Sequence, residues 1–465
     1  MLSRERRSTF SQSDRRSVQE YCAPLERELI RRALSLTAAV VGLVSWLVPG
    51  ICEARGLRPD RAFGGRGWVI LRIAGQNLSA NAVTVLPGGG VVVAGQLTPV
   101  RPPPTGGGQV FVAEYRADGR LNYRFARRGV FVTRLPNRDG PFDATAVARD
   151  RSGGLLVAGG YGQGAMLLMR LTANGRLDRS FGPKRAGFVT RQIGSIASSM
   201  IVRADGTILL GGSNANVMGR PMVVAGFTRR GFVDRRFGRA GVVQVLFWNA
   251  RSASSSNVSS LTATADRGVI ASGHVDYIGG RPGQGGYGKA GIFRLSATGR
   301  LVRTFGGQGH VLIGFRNAQG SFKSWFPCAM TAGPRGAITV TGDGSSLANG
   351  QVLTARLTRT GRLDPSFGRG GRAVVPGPGS GSITTCGAVA ASARRFTVGV
   401  GATLVQLSGN GRPNPRFAPN GRFRITSPRG VGLQAVARAG GGRLVVAGYA
   451  GQAAYAARYA LGAAR

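Results

Sequence analysis

The chain has 465 residues, of which 76 are Gly and 42% are hydrophobic. It can bury a large core, but so much glycine excludes long helices, because each Gly weakens a helix interior by roughly 1 kcal/mol relative to Ala. The composition therefore predicts an all-β protein with many turns. The net charge of +43 is spread along the chain. Dispersed charge is typical of a solvated surface, and attraction to polyanions is the alternative.

The N-terminal 54 residues carry two features of an export segment. Residues 1 to 32 are polar and rich in Arg, and residues 33 to 51 form an almost uninterrupted apolar run. A run of this length just suffices to span a bilayer. We therefore expect residues 1 to 54 to be a signal peptide or an N-terminal membrane anchor. The protein should be extracytoplasmic, secreted or at the cell surface, and should touch the membrane only through this segment.

A phrase typified by Gly-Arg-Leu-Asp-Arg-Ser-Phe-Gly at Gly175–Gly182 recurs in degraded copies along nearly all of the remaining chain. The seven copies are anchored by Phe63, Phe125, Phe181, Phe237, Phe305, Phe367 and Phe417. Their spacing near 60 residues predicts a repeat architecture. We expect each Phe to be a core plug between successive units. Three residues before each Phe stands an Asp or Asn that suits an Asx turn, with Val302 as the exception. One carboxylate per loop is a poor supply of ligands for calcium.

Each unit contains four short strands, which we denote a, b, c and d in chain order. After Phe181 they are Gly187–Thr190, Ser195–Arg203, Thr207–Leu210 and Met222–Phe227. Strand c is an apolar run closed by Gly, which indicates burial on both faces. Seven such units predict a seven-bladed β-propeller of four-stranded antiparallel blades at residues 55 to 465, with an open solenoid as the alternative. The first phrase lacks a preceding unit, so it should complete the last unit and close the ring.

One copy of the phrase, Leu363–Gly371, reads Leu-Asp-Pro-Ser-Phe-Gly-Arg-Gly-Gly. It resembles the signature Leu-Asp-x-Ser-Phe-Gly-x-x-Gly of the delta-60 repeat family of exported bacterial proteins. Leu177–Gly182 matches until an inserted residue delays the last glycine to Gly187, and Ala126 replaces glycine in another copy. The resemblance extends from Arg58 to the C-terminus. It implies a propeller-like fold and no single activity that could be transferred to residues of this chain.

Alternating strand directions place the a–b and c–d connections on one face, and the b–c and d–a connections on the other. We call the second the phrase face, since it carries the repeated phrases, and the first the variable-loop face, since its loops are long and unequal. Variable loops favour a binding site on their face. The candidate binding residues are Trp248, Tyr277, Phe322, Trp325, Phe326, Arg101, Arg134, Arg138, Arg251 and Arg316. Alternatively, several of these aromatic residues only anchor their own loops.

These observations favour an exported, non-enzymatic binding or scaffold module at the cell surface. Its ligand on the variable-loop face is expected to be a carbohydrate, such as a cell-envelope polysaccharide, or a protein. One alternative is a polyanion-binding surface protein that acts through its Arg content. Another is a secreted polysaccharide lyase or hydrolase that uses Asp276, Asp343 or His274.

We assign no catalytic residue, metal or cofactor, and expect a monomer without specific nucleic-acid binding. The chain has only two His, which leaves little room for a metal site or a catalytic triad. The stretch Gly283–Lys289 imitates a phosphate-binding loop, but Ala290 stands where that loop needs Ser or Thr. Its spacing is explained by chance in a chain so rich in glycine.

Two of the four cysteines, Cys328 and Cys386, lie in the part of the chain expected to be exported. They occupy near-equivalent positions in adjacent units, each shortly before the Gly that closes a strand c. In an oxidising compartment they could form a disulfide worth roughly 4 kcal/mol. The other interpretation is two small buried thiols.

Overall fold

The computed structural model describes residues 56–101, 108–133, 142–162, 164–193, 196–217, 219–247, 253–277, 287–316, 322–344, 351–376, 386–392, 395–426, 428 and 430–461. The chain divides into two units, Met1–Ala54 and Arg55–Arg465. The predicted export segment, residues 1 to 54, lies outside the described residues. Within the described ranges, no helix is long and apolar enough to cross a membrane.

The described part of the second unit consists of short strands and single 3₁₀ turns. The strands are β1 (Leu57–Pro59), β2 (Trp68–Leu71), β3 (Gln76–Val85), β4 (Val91–Pro99), β5 (Gln109–Tyr115), β6 (Val130–Val132), β7 (Phe142–Arg149), β8 (Leu155–Tyr161), β9 (Ala165–Leu171), β10 (Phe188–Gln192), β11 (Ser199–Val202), β12 (Ile208–Ser213), β13 (Met222–Phe227), β14 (Val242–Val245), β15 (Ala253–Ala263), β16 (Val269–Tyr277), β17 (Tyr287–Leu295), β18 (His310–Ile313), β19 (Phe315–Arg316), β20 (Phe322–Lys323), β21 (Phe326–Ala332), β22 (Ile338–Asp343), β23 (Gln351–Leu357), β24 (Arg372–Pro376), β25 (Cys386–Ser392), β26 (Arg395–Val400), β27 (Thr403–Ser408), β28 (Arg422–Arg424), β29 (Val431–Arg438), β30 (Leu444–Ala450) and β31 (Ala453–Leu461). The 3₁₀ turns are Pro87–Gly89, Pro183–Arg185, Pro334–Gly336 and Pro419–Gly421. Each turn begins at Pro, whose fixed φ suits a first helical position.

The strands form a seven-bladed β-propeller of four-stranded antiparallel sheets, which confirms the predicted fold class. Blades 1 to 7 are β3–β6, β7–β10, β11–β14, β15–β18, β21–β24, β25–β28, and β29–β31 with β1 and β2. The first strand of each blade is innermost and contacts the first strand of the next blade, with β29 against β3 completing the circle. The short β19–β20 hairpin lies between blades 4 and 5 in the chain.

Each blade begins one strand later than the predicted four-strand unit. Strand β10, which is strand a of the unit after Phe181, pairs with β9 and places Phe188 opposite Met169. The phrase between them is a short turn that brings strands d and a side by side. Strand a is therefore the outermost strand of the preceding blade. The assignment of connections to the two faces is unaffected, because it depends only on the alternation of strand direction.

The ring is closed by strands from opposite ends of the described chain. Strand β31 pairs with β30 on one side and with both β1 and β2 on the other. Leu57 lies opposite Leu461, and Trp68 lies opposite Ala457. The first phrase thus completes the last blade, as predicted, and the open solenoid is excluded. Closure also removes the free sheet edge that an unfinished seventh blade would expose.

All seven Phe anchors are at most 1% exposed, which confirms their predicted place in the core between blades. Five of the rings, those of Phe125, Phe181, Phe237, Phe305 and Phe367, pack against the glycine that opens the next copy of the phrase. A Cβ atom at Gly231 would lie 2.6 Å from the Phe181 ring, and one at Gly411 would lie 3.0 Å from the Phe367 ring. Both glycines also have positive φ, of 80° and 84°. The Phe and the Gly of successive copies are therefore two halves of one inter-blade contact.

The acidic or amide residue of the phrase forms the predicted Asx turn. The backbone N–H of Ser180 donates to Asp178 Oδ1 at 2.9 Å, and that of Ser366 donates to Asp364 Oδ1 at 3.0 Å. In both copies the Asp side chain accepts a backbone hydrogen bond that stabilises the turn just before the Phe. Within the described residues, no group of three or more His, Cys, Asp or Glu is placed to hold a metal ion.

An arginine on strand d clamps each of several blades to the next, a contact that sequence reasoning missed. Arg170 Nε donates to Asp178 Oδ2 at 2.8 Å, and its Nη1 donates to the carbonyl of Arg229 in blade 3 at 3.2 Å. Its guanidinium lies 4.8 Å from the centre of the Phe181 ring. One side chain therefore joins the phrase, the Phe anchor and the neighbouring blade through charge-assisted hydrogen bonds and a cation–π contact.

Two other blades repeat this clamp. Arg356 Nε donates to Asp364 Oδ2 at 2.8 Å, and Arg458 Nε donates to Asp60 Oδ2 at 2.7 Å. Their guanidinium groups lie 4.9 and 5.0 Å from the Phe367 and Phe63 rings. The second pair joins the first phrase to the last strand, so it strengthens the closure of the ring. Part of the large Arg content is thus structural rather than solvated.

The clamps predict a loss of stability at low pH. Burial alone would raise the pKa of Asp60, but the hydrogen bond from Arg458 and the positive charges of Arg458 and Arg443 together lower that pKa. Hydrogen bonds with Ser366 and the charge of Arg356 lower the pKa of Asp364. A carboxyl with a lowered folded-state pKa stabilises the fold above its unfolded pKa, and this stabilisation is lost as pH falls through the folded value. The free energy of unfolding should therefore decrease between about pH 5 and about pH 2.

Urea denaturation across this pH range checks the prediction. Asp364→Asn should flatten the dependence, because a neutral amide has no proton to gain. The matched control is Asp118→Asn, whose ion pair with Arg116 is about half exposed and should contribute little. Equal pH dependence in the wild type and Asp364→Asn proteins would contradict the role of the clamp.

Candidate functional site

A β-bulge interrupts the innermost strand in six of the seven blades, as far as the described pairs show. In five of them the shift leaves one residue unpaired, namely Asn81, Thr145, Ser259, Cys328 and Gln434. In β25 the shift lies between Gly387 and Ala390. Bulges are enriched near binding and active sites because they redirect side chains. Here they place one residue per strand at an equivalent level around the axis.

The bulges also explain why strand c ends in glycine. A Cβ atom at Gly95 would lie 1.8 Å from the carbonyl oxygen of Ser79, and one at Gly159 would lie 1.9 Å from that of Asp143. Gly273, Gly342 and Gly448 meet the bulged strands in the same way. No other residue type fits where the bulged backbone approaches this closely. The recurring glycine was thus the sequence signal for the bulges, and it was interpreted only as the end of a strand.

The five bulge residues line a cavity of about 680 Å³ that residues of six innermost strands surround. We call it the axial channel. Its polar lining comes mainly from neutral amides and hydroxyls, including Asn81, Ser198, Asn257 and Gln434. Asp343 is the only charged residue among the described residues that line it. Although the chain carries a charge of +43, none of the described residues that line the axial channel is basic.

Several of the lining hydroxyls also join neighbouring blades. Asn257 Nδ2 donates to Ser198 Oγ at 3.0 Å, which connects blades 4 and 3. The backbone N–H of Met330 donates to Ser260 Oγ at 3.1 Å, which connects blades 5 and 4. These contacts hold the channel wall in one arrangement. A wall fixed in this way is preorganised for binding, because little conformational freedom is left to lose.

Phe326 lies at the variable-loop end of β21 and forms part of the channel lining. Its side chain is 38% exposed, and its ring centre lies 5.9 Å from that of His274. His274 Nε2 lies 3.8 Å from Asp276 Oδ2. Burial lowers the pKa of His274 despite the opposing charge of Asp276. The rim beside Phe326 therefore combines an open aromatic ring with an imidazole whose neutral form is favoured.

The carboxylates considered for hydrolysis do not converge. Ile270 of β16 packs in the core between blades 4 and 5. Asp276 lies six residues further along the same strand, so its side chain lies on the same face of the sheet. Val340 of β22 packs in that same core. Asp343 lies three residues further along the strand, so its side chain lies on the opposite face of blade 5. Asp343 is also only 2% exposed. The sheet of blade 5 thus separates the two groups, which does not favour a pair of carboxylates acting on one glycosidic bond.

The predicted binding residues are not brought together as one described surface. Trp248, Arg134, Arg138 and Arg251 lie outside the described residues, as do the side chains of Tyr277 and Phe322. Arg101 and Arg316 are both exposed, but the first belongs to the end of blade 1 and the second to the β19–β20 hairpin. Phe326 is therefore the predicted aromatic residue that the structure places at an open site.

Trp325 does not serve as a binding surface in this structure. Its side chain is fully buried, and its ring packs edge-on against Phe315 with 4.8 Å between the ring centres. Its backbone N–H donates to the carbonyl of Gly288 at 3.0 Å. The hydrophobic core between blades 4 and 5 includes both rings. Trp325 thus anchors its own segment, the alternative role considered for these aromatic residues, because no ring face is left for a ligand.

Cys328 is disulfide-bonded. It is also a bulge residue of β21, the innermost strand of blade 5, which contacts β25 of blade 6. Cys386 begins β25, and its side chain lies outside the described residues. The pairing of Cys328 with Cys386 therefore stays a prediction, for which the contact between the two strands is the supporting observation.

No protein-family model and no curated protein sequence matches the chain. Solved structures that resemble it include the Penicillium chrysogenum alpha-L-arabinanase complexed with arabinobiose, at 9% identity and a TM-score of 0.41, covering 86% of this chain and 95% of that one. Chaetomium thermophilum Sqt1 bound to the N-terminus of the ribosomal protein L10 resembles it at 13% identity and a TM-score of 0.43, covering 80% and 82%. Neither resemblance carries an inference about ligand or activity, and the fold assignment rests on the strand pairing.

Proposed function

We propose that the propeller is a non-enzymatic, extracytoplasmic binding module whose axial channel takes a neutral, polyhydroxylated ligand, namely a carbohydrate chain end. The observation that carries the proposal is the lining of the channel. Amide groups such as those of Asn81 and Gln434, and hydroxyl groups such as that of Ser198, surround a cavity of about 680 Å³. Pockets for small ligands typically measure about 300 to 1,000 Å³ and use a few fixed polar groups.

The chemistry of the lining favours a sugar over an anion. Amides and hydroxyls both donate and accept hydrogen bonds, and this matches the hydroxyl groups of a carbohydrate. The exposed ring of Phe326 at the variable-loop end offers an apolar face to the C–H side of a sugar ring. A phosphate or sulfate group would instead require cationic partners, and none of the described lining residues is basic.

Two observations support an extracytoplasmic location. The N-terminal apolar run follows an Arg-rich segment, as in exported proteins. Cys328 is disulfide-bonded, and disulfides persist mainly in oxidising compartments. Membership of the delta-60 repeat family fits the same location and stays a proposal based on the repeated phrase.

A glycan array probed at low and high salt tests the proposed ligand class. Binding should change little with salt, since the contacts involve uncharged groups. Phe326→Ala should weaken binding of the selected glycan at least about tenfold, equivalent to about 1.4 kcal/mol. The matched control is Tyr123→Ala, which removes a 73% exposed aromatic ring from the phrase face and should leave affinity unchanged.

Two outcomes of these binding experiments would overturn the proposal. A wild-type protein that retains no glycan at either salt concentration would exclude a carbohydrate ligand. Equal losses in Phe326→Ala and Tyr123→Ala would show that binding does not involve the axial channel. Thermal unfolding of both variants at the wild-type temperature would establish that the comparison concerns binding.

A further inference from the structure

The third copy of the phrase is longer than the others, and the extra residues are basic. Gly187 lies six residues after Phe181, whereas Gly371 lies four residues after Phe367. The insertion is therefore two residues rather than the single residue inferred from the sequence. It forms the 3₁₀ turn Pro183–Arg185, in which Lys184 and Arg185 have positive φ values of 57° and 54°. Both side chains are exposed on the phrase face.

This turn forms one wall of a cavity of about 1,140 Å³ between blades 2 and 3, which we call the blade 2–3 cleft. All of its loops belong to the phrase face, opposite the variable loops. Besides Arg170, it is lined by Arg151, Arg179, Lys184, Arg185, Arg229 and Arg230. Its carboxylates are Asp150 and Asp205.

The two carboxylates of the blade 2–3 cleft do not neutralise its rim. Asp150 lies 3.9 Å from Arg170, which also pairs with Asp178 at 2.8 Å. Asp205 accepts a hydrogen bond from the backbone N–H of Thr207 at 2.9 Å. The six other basic residues form no salt bridge with any carboxylate of the described chain. The rim is therefore a concentrated positive charge, unlike the dispersed pattern expected from the sequence.

The repeat supplies an internal comparison. A corresponding cavity of about 880 Å³ between blades 4 and 5, the blade 4–5 cleft, is built from equivalent loops. It has three arginines, Arg294, Arg335 and Arg359, and one carboxylate, Asp266. Arg294 pairs with Asp266 at 2.9 Å, which leaves two basic residues against six in the blade 2–3 cleft. The same architecture therefore carries three times as many uncompensated cations where the phrase is longer.

We propose that the blade 2–3 cleft is a second binding site, for a segment of a linear phosphate polymer. Guanidinium groups bind phosphate oxygens in bidentate geometry, and the rim is almost entirely Arg. The volume exceeds that of a single phosphate group, and several cations along one rim match an anion that repeats. This site is separate from the axial channel, which the innermost strands line and whose described lining residues include no Lys or Arg.

Binding of a short inorganic polyphosphate by the full chain, measured by calorimetry at several salt concentrations, tests the proposal. Lys184→Gln/Arg185→Gln should weaken binding at least about tenfold and make log Kd less dependent on log salt, because fewer counterions are released. The matched control is Arg335→Gln/Arg359→Gln, which removes two exposed charges from the blade 4–5 cleft. It should change affinity less than about twofold, since long-range attraction is screened within roughly 10 Å.

Equal losses in the two double variants would overturn the site and indicate attraction by net charge alone. Absence of polyphosphate binding to the wild type protein at low salt would overturn it as well. A polyglutamate chain should compete only weakly, and competition equal to that of polyphosphate would overturn the phosphate assignment. Thermal unfolding of both variants confirms that the fold is retained, which is expected because all four side chains are exposed.

Discussion

Phe367→Ala is expected to lower the free energy of unfolding by about 3 to 5 kcal/mol, as for other large-to-small changes of buried aromatic residues. Phe367 is fully buried between blades 5 and 6. Its ring lies 6.0 Å from that of Phe396 and 4.9 Å below the guanidinium of Arg356. Removing the ring leaves a cavity in that core and deprives the Arg356 clamp of its aromatic partner. Urea denaturation of the purified propeller measures the effect.

A matched control separates burial from aromatic character. Phe232 is 48% exposed on the phrase face, so Phe232→Ala should change stability by roughly 0.5 kcal/mol or less. The anchor role is contradicted if the two variants are equally stable. Because natural domains are stable by only about 5 to 15 kcal/mol, the loss expected for Phe367→Ala is a large part of the total.

Removing residues 56–71 is expected to have a still larger effect, because they supply β1, β2 and the first phrase. The deletion discards three buried apolar side chains, Leu57, Phe63 and Leu71. Loss of Phe63 alone would cost about 3 to 5 kcal/mol. It also leaves β31 as a bare edge, with its backbone N–H and C=O groups open to pairing with other chains. We expect the shortened chain to aggregate or to lose cooperative thermal unfolding.

The control for this deletion is a chain that begins at Arg55. It retains every described strand, so it should elute as a monomer in size-exclusion chromatography and unfold in one cooperative transition. If the chain that begins at Arg72 has the same melting temperature and elution volume, then β1 and β2 do not close the ring. Differential scanning calorimetry and chromatography of the two chains decide between these outcomes.

The fold was predictable because its signals are local and repeated. The Phe anchors and the apolar strand c recur in each unit, and the Asx residue recurs in every copy of the phrase except the one with Val302. Each of these signals can be recognised within a short segment of sequence. Closure of the ring was predictable from the unmatched first phrase. The blade boundaries were not, because whether strand a joins the following or the preceding sheet depends on hydrogen bonds between segments.

The candidate sites were less predictable because they depend on register and on which blades converge. The glycine that closes strand c was visible, but its cause is the bulge on the neighbouring strand, such as the one at Asn81, next to Ala80, which pairs with Gly95. The clamps also left a signal, since Arg170 and Asp178 are eight residues apart, as are Arg356 and Asp364. The sequence showed an insertion before Gly187, although it was interpreted as one residue rather than two. The opposing rim of the cleft, from Arg229 and Arg230, belongs to another blade, and no local sequence pattern brings it to this position.

The central claim, that the two ends of the described chain meet in one blade, is tested most directly by a disulfide cross-link. Val69 of β2 lies opposite Ala456 of β31, so Val69→Cys/Ala456→Cys should form an intramolecular disulfide on oxidation. Mass spectrometry of the non-reduced monomer should identify the peptide that joins the two positions. Val69→Cys/Val374→Cys, which pairs β2 with the outer strand of blade 5, should form none. Failure of the first pair to link within a folded monomer, or linkage only between molecules, would contradict the closed ring.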